Sequence, residues 1–323
     1  MTDEANKKGT ESSRRSFVGG AAALAGAAMA GGLPAQAQGR KKHPKRGGTL
    51  RMGTRDDSIA LDTHRNIIYF VSHPLTGITG GLVDFDDKMQ PKPAIAESWD
   101  ASSDLMTWTF KLRRGCEFHN GQTIDAEAVK WNIERIKDPK TSHAFTRSVL
   151  SDVERVTVDD KHTIRFHLKE AHAALDINLI YYPVNLMSPG AVDTVDTHPV
   201  NCGPFKFKLW RRHDVCELVR FENFWETDSE GNSLPYLDGL IGRPKKEDRV
   251  RLTSLRTGEL DLIDNVAYAD APAFKKDHGR TYDTWPVPQV GTAMMFFNLK
   301  NGLLSEKDNP DALLLRQAIA HAI

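Results

Sequence analysis

Residues 108–136 read WTFKLRRGCEFHNGQTIDAEAVKWNIERI. Trp108, Phe110 and Leu112 fall on one side of an alternating run and Thr107, Thr109, Lys111 and Arg113 on the other, the period of a strand with one buried and one wet face. Asn120-Gly121 supplies a dipeptide that tolerates positive φ. Asp125 stands where its carboxylate can accept from the first free N–H groups of a helix. Val129, Ile133 and Ile136 then recur at i, i+4 and i+7, while Lys130, Glu134 and Lys137 fall off that stripe. The stretch predicts a strand, a polar turn and a surface helix that packs back on the strand.

Five further landmarks follow in order along the chain: Gly47-Gly48-Thr49-Leu50-Arg51, Leu61-Asp62-Thr63-His64, Pro93-Ala94-Ile95-Ala96-Glu97-Ser98-Trp99, Gly203-Pro204-Phe205-Lys206-Phe207, and Arg316-Gln317-Ala318-Ile319-Ala320-His321-Ala322-Ile323. Together with the opening block they resemble the family 5 solute-binding proteins, the large periplasmic receptors for oligopeptides, dipeptides and nickel that feed ABC importers. The chain departs from the family at Asn201-Cys202, where a small residue and glycine usually stand, and at the helix cap, commonly Thr with an acid at N3. The resemblance implies an α/β fold of the type II periplasmic-binding-protein kind, with two lobes and an inserted α+β domain. It also implies that the second lobe is largely missing here.

Ahead of the folded part, Ser13-Arg14-Arg15-Ser16-Phe17-Val18 precedes a weakly apolar run over 19–32 and the small-x-small site Ala35-Gln36-Ala37. These features are those of a twin-arginine export signal cleaved near Ala37, so the mature chain is expected to begin at Gln38 in the periplasm. Gly and Ala dominate the run, which falls short of the ~20 strongly apolar residues a bilayer span requires. Residues 38–46, with Arg40-Lys41-Lys42-His43-Pro44-Lys45-Arg46, read as a solvated basic linker. The full chain holds 43 basic and 43 acidic residues, and removing the signal leaves 39 against 40, so no field favours nucleic acid. The 286 residues that remain exceed a comfortable single core.

The organisation expected within them is a first part of lobe I over 47–79, an inserted domain over 80–199, a second part of lobe I over 200–290, and the start of lobe II over 291–323. Residues 49–54 start a strand. Strands over 153–158 and 162–168 form a hairpin through Asp159-Asp160-Lys161, and strands over 203–210 and 215–221 form another, turning near 211–214. A helix is expected over 247–257, with Val250, Leu252 and Leu255 apolar and Gly258 as its stop, followed by a short strand over 260–263. The final helix carries an Arg316/Ala320 and Leu315/Ile319 periodicity and ends without a cap, which reads as a fragment or a truncated gene product.

Cofactor and catalytic chemistry find no support. Cys116, Cys202 and Cys216 lack CxxC spacing, and the chain contains no G-x-G-x-x-G after a strand, no H-E-x-x-H and no G-x-S-x-G. The hairpin register is expected to set Cys216 opposite Leu209 and Cys202 opposite Asn223, which favours buried thiols over a disulfide. His162 and His167 are an odd number apart on a strand and so face opposite sides. Asp56-Asp57, Asp86-Asp87 and Asp159-Asp160 read as exposed turn carboxylates bonded to local backbone.

The resemblance implies a binding protein and not an enzyme, with no cofactor and no metal. Its partners would be a peptide or other small solute and a membrane permease and ATPase complex, with the chain itself a monomer. Ile67, Ile68 and Tyr69 map onto the wall strand that holds the ligand main chain, Phe145 onto an aromatic wall residue of the inserted domain, and Met294 and Phe296 onto the hinge and cleft floor. Core packing is the alternative for Ile67 and Ile68, and alternation lets only one of Phe296 and Phe297 reach the cleft. Two other readings stay open: a twin-arginine-exported enzyme with a bound cofactor, and a chemosensory receptor of the same fold.

Overall fold

The computed structural model describes residues 44–67, 73–264, 266, 267, 269–283 and 297–322. The expected signal segment, most of the basic linker, and Ile68, Tyr69, Met294 and Phe296 lie outside them.

In chain order the elements are β1 (Thr49–Thr54), α1 (His73–Thr76), β2 (Val83–Phe85), β3 (Pro91–Pro93), β4 (Ala96–Ala101), β5 (Thr107–Leu112), α2 (Ala126–Lys137), α3 (Ala144–Val149), β6 (Val153–Asp160), β7 (Thr163–Leu168), α4 (Leu175–Asn178), β8 (Phe205–Arg211), β9 (Val215–Arg220), β10 (Gly239–Pro244), α5 (Asp248–Arg256), β11 (Leu262–Ile263), α6 (Ala271–His278) and α7 (Ala312–Ala322).

Strands β4-β5-β7-β6 form an antiparallel sheet. Trp108, Phe110 and Leu112 are buried on one face of β5, and Phe110 meets Phe166 of β7 edge to face at 5.2 Å. Helix α2 starts where Asp125 Oδ1 accepts from Ala128 N at 2.9 Å, and its stripe of Val129, Ile133 and Ile136 is fully buried among those strands' side chains. Burying each of these aliphatic side chains contributes about 1.5–3 kcal/mol, which outweighs the cap and fixes the helix on this face.

A second sheet has the order β11-β1-β10-β9-β8. Here β1 runs parallel to both β10 and β11, while β10, β9 and β8 pair antiparallel. Its core gathers Leu61, Leu75, Ile78, Phe205, Phe207, Cys216, Leu218 and Leu240. The chain thus begins one sheet at β1, builds the other between β4 and β7, and returns at β8 to finish the first.

Several sequence expectations are corrected in detail. A register shift between Phe207 and Leu209 sets Cys216 opposite Trp210 and moves Leu209 opposite Glu217. All three cysteines are free and buried. Burial pushes the Cys116 thiol up to about 11 and the Cys216 thiol up to about 12, and raises Cys202, whose Sγ–H donates to Gly80 O at 3.4 Å. On α5, Val250 is exposed and Arg251 is the buried residue, because its guanidinium reaches Lys245 O at 2.7 Å, Lys246 O at 2.9 Å and Asp248 Oδ1 at 2.5 Å. Strand β6 extends through Asp160, leaving Lys161 and His162 as the turn, so His162 lies on no strand and the alternation argument does not apply to it. The pair Asp56-Asp57 is not an exposed turn pair: Asp57 is buried and accepts from Trp210 Nε1 at 2.9 Å and His213 N at 2.6 Å on the β8–β9 hairpin.

Candidate functional site

The expected ligand wall begins with the loop between β1 and residue 67. This loop carries a series of buried polar side chains, Ser58, Asp62, Thr63, His64 and Asn66, and holds itself through local bonds. Asn66 Nδ2 donates to Ser58 Oγ at 2.7 Å and to Ala60 O at 3.0 Å, and His64 N donates to Asp62 Oδ1 at 3.0 Å. Burying so many polar groups costs free energy wherever a partner is lacking, so these bonds make the loop's conformation specific, with Thr63 Oγ1 the one of the five side chains that lacks a hydrogen bond.

The partner is helix α2. Arg135 Nη2 donates to Asp62 Oδ2 at 2.6 Å, and Nη1 reaches Asp62 Oδ1 at 3.3 Å and His64 Nδ1 at 2.7 Å. Asp62 is fully buried and Arg135 nearly so, so this is an ion pair taken out of water with both carboxylate oxygens engaged. A guanidinium only donates, so His64 Nδ1 accepts and the ring proton sits on Nε2, which donates to Asn185 O at 3.0 Å. Burial, reinforced by the charge of Arg135, pushes the His64 pKa down to about 4, and the ring is neutral at physiological pH.

The loop is also tied to α3, because His143 N donates to His64 O at 3.0 Å. Two residues beyond, Phe145 stands half-exposed and meets the Tyr181 ring edge to face at 5.7 Å and 75°. Tyr181 itself packs against the core of the β4–β7 sheet, and burial raises its pKa. The structure therefore brings the loop leading into Ile67 and the α3 ledge bearing Phe145 to one place, with Ile67 partly buried at the loop's end.

The sequence reading missed Arg135, His64 and Tyr181 as participants. One signal was available: Asn132 and Arg135 fall beside the apolar stripe of α2, and both are buried, Asn132 by bonds to Ala128 O and Met187 O at 2.9 Å each. A cavity of about 10 Å³ beside Asp57 has room for about one water. A groove of about 290 Å³ between α2 and β6 is lined by side chains of both signs. Among the described residues no group of three or more His, Cys, Asp or Glu is placed to hold a metal ion, and no helix is long and apolar enough to cross a membrane.

The mixed α/β chain has the fold of the type II periplasmic binding proteins. Residues 90–323 match the bacterial extracellular solute-binding proteins, family 5 Middle, and the chain belongs to that family. It is similar to the glutathione-binding protein GsiB of Escherichia coli O1:K1 / APEC, 29 % identical over 248 residues, which are 75 % of this chain and 46 % of that protein. Among solved structures it is similar to the ABC transporter-associated periplasmic binding protein DppA from Helicobacter pylori in complex with the peptide STSA. That match has a TM-score of 0.65 and 25 % identity, and covers 72 % of this chain and 49 % of that one. The periplasmic binding protein AgaA of A. tumefaciens R10, in complex with agropinic acid, superposes with a TM-score of 0.63 at 28 % identity, over 71 % of this chain and 46 % of that one. The chain spans about half the length of the relatives it matches.

Proposed function

We propose that the protein is an extracytoplasmic substrate-binding component of an ABC importer, of the peptide class, that closes two lobes around its ligand and presents the closed form to a membrane permease. Membership of the solute-binding family over residues 90–323 is the observation that carries this reading. Relatives described as binding glutathione, the peptide STSA and agropinic acid support a small polar solute with amide and carboxylate groups as the ligand. On this reading Ile67, Ile68 and Tyr69 line the wall that holds the ligand main chain, Phe145 covers it from the inserted domain, and Met294 and Phe296 lie toward the hinge. The protein performs no chemistry on its cargo and uses no cofactor. It is exported by the twin-arginine route and cleaved near Ala37.

Closure works by differential contact: a ligand stabilises the closed state only through contacts absent from the open one. Calorimetric titration of the purified protein with a panel of di-, tri- and tetrapeptides and opines tests the reading. This chain spans about half the length of the relatives it matches, and on its own it is expected to bind such solutes only weakly, in the millimolar range, about 4 of the roughly 8 kcal/mol of a micromolar receptor, and without turnover. Micromolar binding by this chain alone, no binding of any of them at millimolar concentration, or conversion of any of them to product overturns it.

A further inference from the structure

We infer that Arg65 is a ligand-binding residue of the wall, a carboxylate anchor that selects solutes carrying a free carboxylate. The inference deepens the solute-receptor reading and rests on it. Arg65 lies on the buried loop two residues before Ile67, and its backbone is fixed by its N–H donating to Asp62 O at 3.1 Å. Its guanidinium is about half-exposed and touches two carboxylates only loosely, Asp62 Oδ2 at 3.6 Å and Asp196 Oδ2 at 3.7 Å. Both distances lie beyond a hydrogen bond.

Asp62 is committed first to Arg135, which donates to both of its oxygens at 2.6 and 3.3 Å, while His64 N donates to Oδ1 at 3.0 Å, and Arg65 stands further off. Asp196 is mostly exposed, with 65 % of its side-chain surface in water, so its pull is screened. The result is a cation whose planar fork of donors is held in place by a rigid loop yet not consumed by the protein. That arrangement is suited to bidentate capture of a carboxylate. The carbonyl of the preceding residue, His64 O, accepts from His143 N at the start of α3, so the backbone that carries Arg65 is tied to the helix that bears Phe145. The free fork fits a small peptide or amino-acid conjugate whose terminal carboxylate meets Arg65.

The test is a chemical-shift titration of the full chain, reaching millimolar affinity, with the tripeptide alanyl-seryl-alanine and with its C-terminal amide. The free acid is expected to move the Arg65 Nε–H resonance and the α3 amides, and the amide to bind about tenfold more weakly, the loss expected for one charge-assisted contact. Arg65→Gln should weaken the acid about tenfold and leave the amide unchanged, while Asp196→Asn, which removes a competing carboxylate, should tighten the acid. Equal binding of acid and amide, or an Arg65→Gln chain that binds the acid as before, overturns the anchor and leaves the receptor reading standing. Failure of the unaltered chain to bind either probe overturns the anchor, while the receptor reading falls only if the whole panel of peptides and opines also fails.

Discussion

Arg135 occupies a helix position that pattern alone assigns to neither face, and it takes a buried ion pair out of water. Its partner Asp62 has no exposed side-chain surface, so the carboxylate depends on the guanidinium for its charge balance. Arg135→Met would leave that buried charge with only the loose Arg65 contact at 3.6 Å, and about 3–5 kcal/mol of folding stability should be lost. Replacing both residues, Arg135→Met with Asp62→Asn, removes the charge along with its partner and should restore a large part of the deficit. Urea unfolding of the two variants measures this directly. If the double variant is no more stable than the single one, the pair is not the source of the loss. The same contact explains why His64 stays neutral: a protonated ring would face Arg135 at 2.7 Å with no acceptor left to offer.

At the scale of elements, the turn before β8 is decided by close approach. Gly203 N donates to Ile78 O at 2.8 Å, and a Cβ at Gly203 would lie 2.4 Å from Thr79 O and 2.6 Å from Ile78 C. Backbone cannot retreat from a new methyl as a flexible side chain can. Gly203→Ala should therefore cost about 1–3 kcal/mol and lower the thermal midpoint, with an unchanged far-ultraviolet spectrum after refolding. A variant as stable as the parent would show that the 78–80 segment yields. The Gly203-Pro204-Phe205 landmark was legible in the sequence, as were β5, α2 and both hairpins, because alternation, a capping aspartate and turn dipeptides are local signals. What was not legible is non-local. The one-residue shift at Cys216 comes from a bulge between Phe207 and Leu209, and no period in the sequence announces it. Arg251 is buried and Val250 exposed because carbonyls at the end of β10 and Asp264, 3.4 Å away, receive the guanidinium, which hydropathy cannot foresee. At the candidate wall, Phe145 and Ile67 come from the family resemblance, whereas the ion pair of Arg135 and Asp62 joins residues 73 positions apart and has no local signal.

For the molecule as a whole, two histidines, His64 buried and His119 partly buried, sit between the two hydrophobic cores. His64 follows Leu61 of the β1–β10 core and binds Arg135 on the helix whose stripe lies in the other core. His119 follows Phe118 of the β4–β7 core, donates from Nε2 to Gly203 O at 3.0 Å, and meets Phe221 edge to face at 5.0 Å. Burial pushes both pKa values down to about 4, with the Arg135 charge adding to the effect at His64 and Lys206 at His119. In the unfolded chain each ring takes its proton near pH 6.5. Between those values the unfolded state holds more protons than the folded one, so stability is intact above about pH 6.5 and falls as the pH drops toward about 4. Each ring contributes about 3 kcal/mol to that decline, and the pair should take up about two protons on unfolding near pH 5. Urea midpoints measured from about pH 7 down to about pH 4.5 should show this slope. His119→Gln, whose amide can still donate to Gly203 O, should lower the proton uptake by about one and flatten the curve while leaving the stability near neutral pH close to that of the parent. A slope unchanged in that variant would mean that His119 is already protonated in the folded chain, and that the junction between the cores is wetter than its geometry implies.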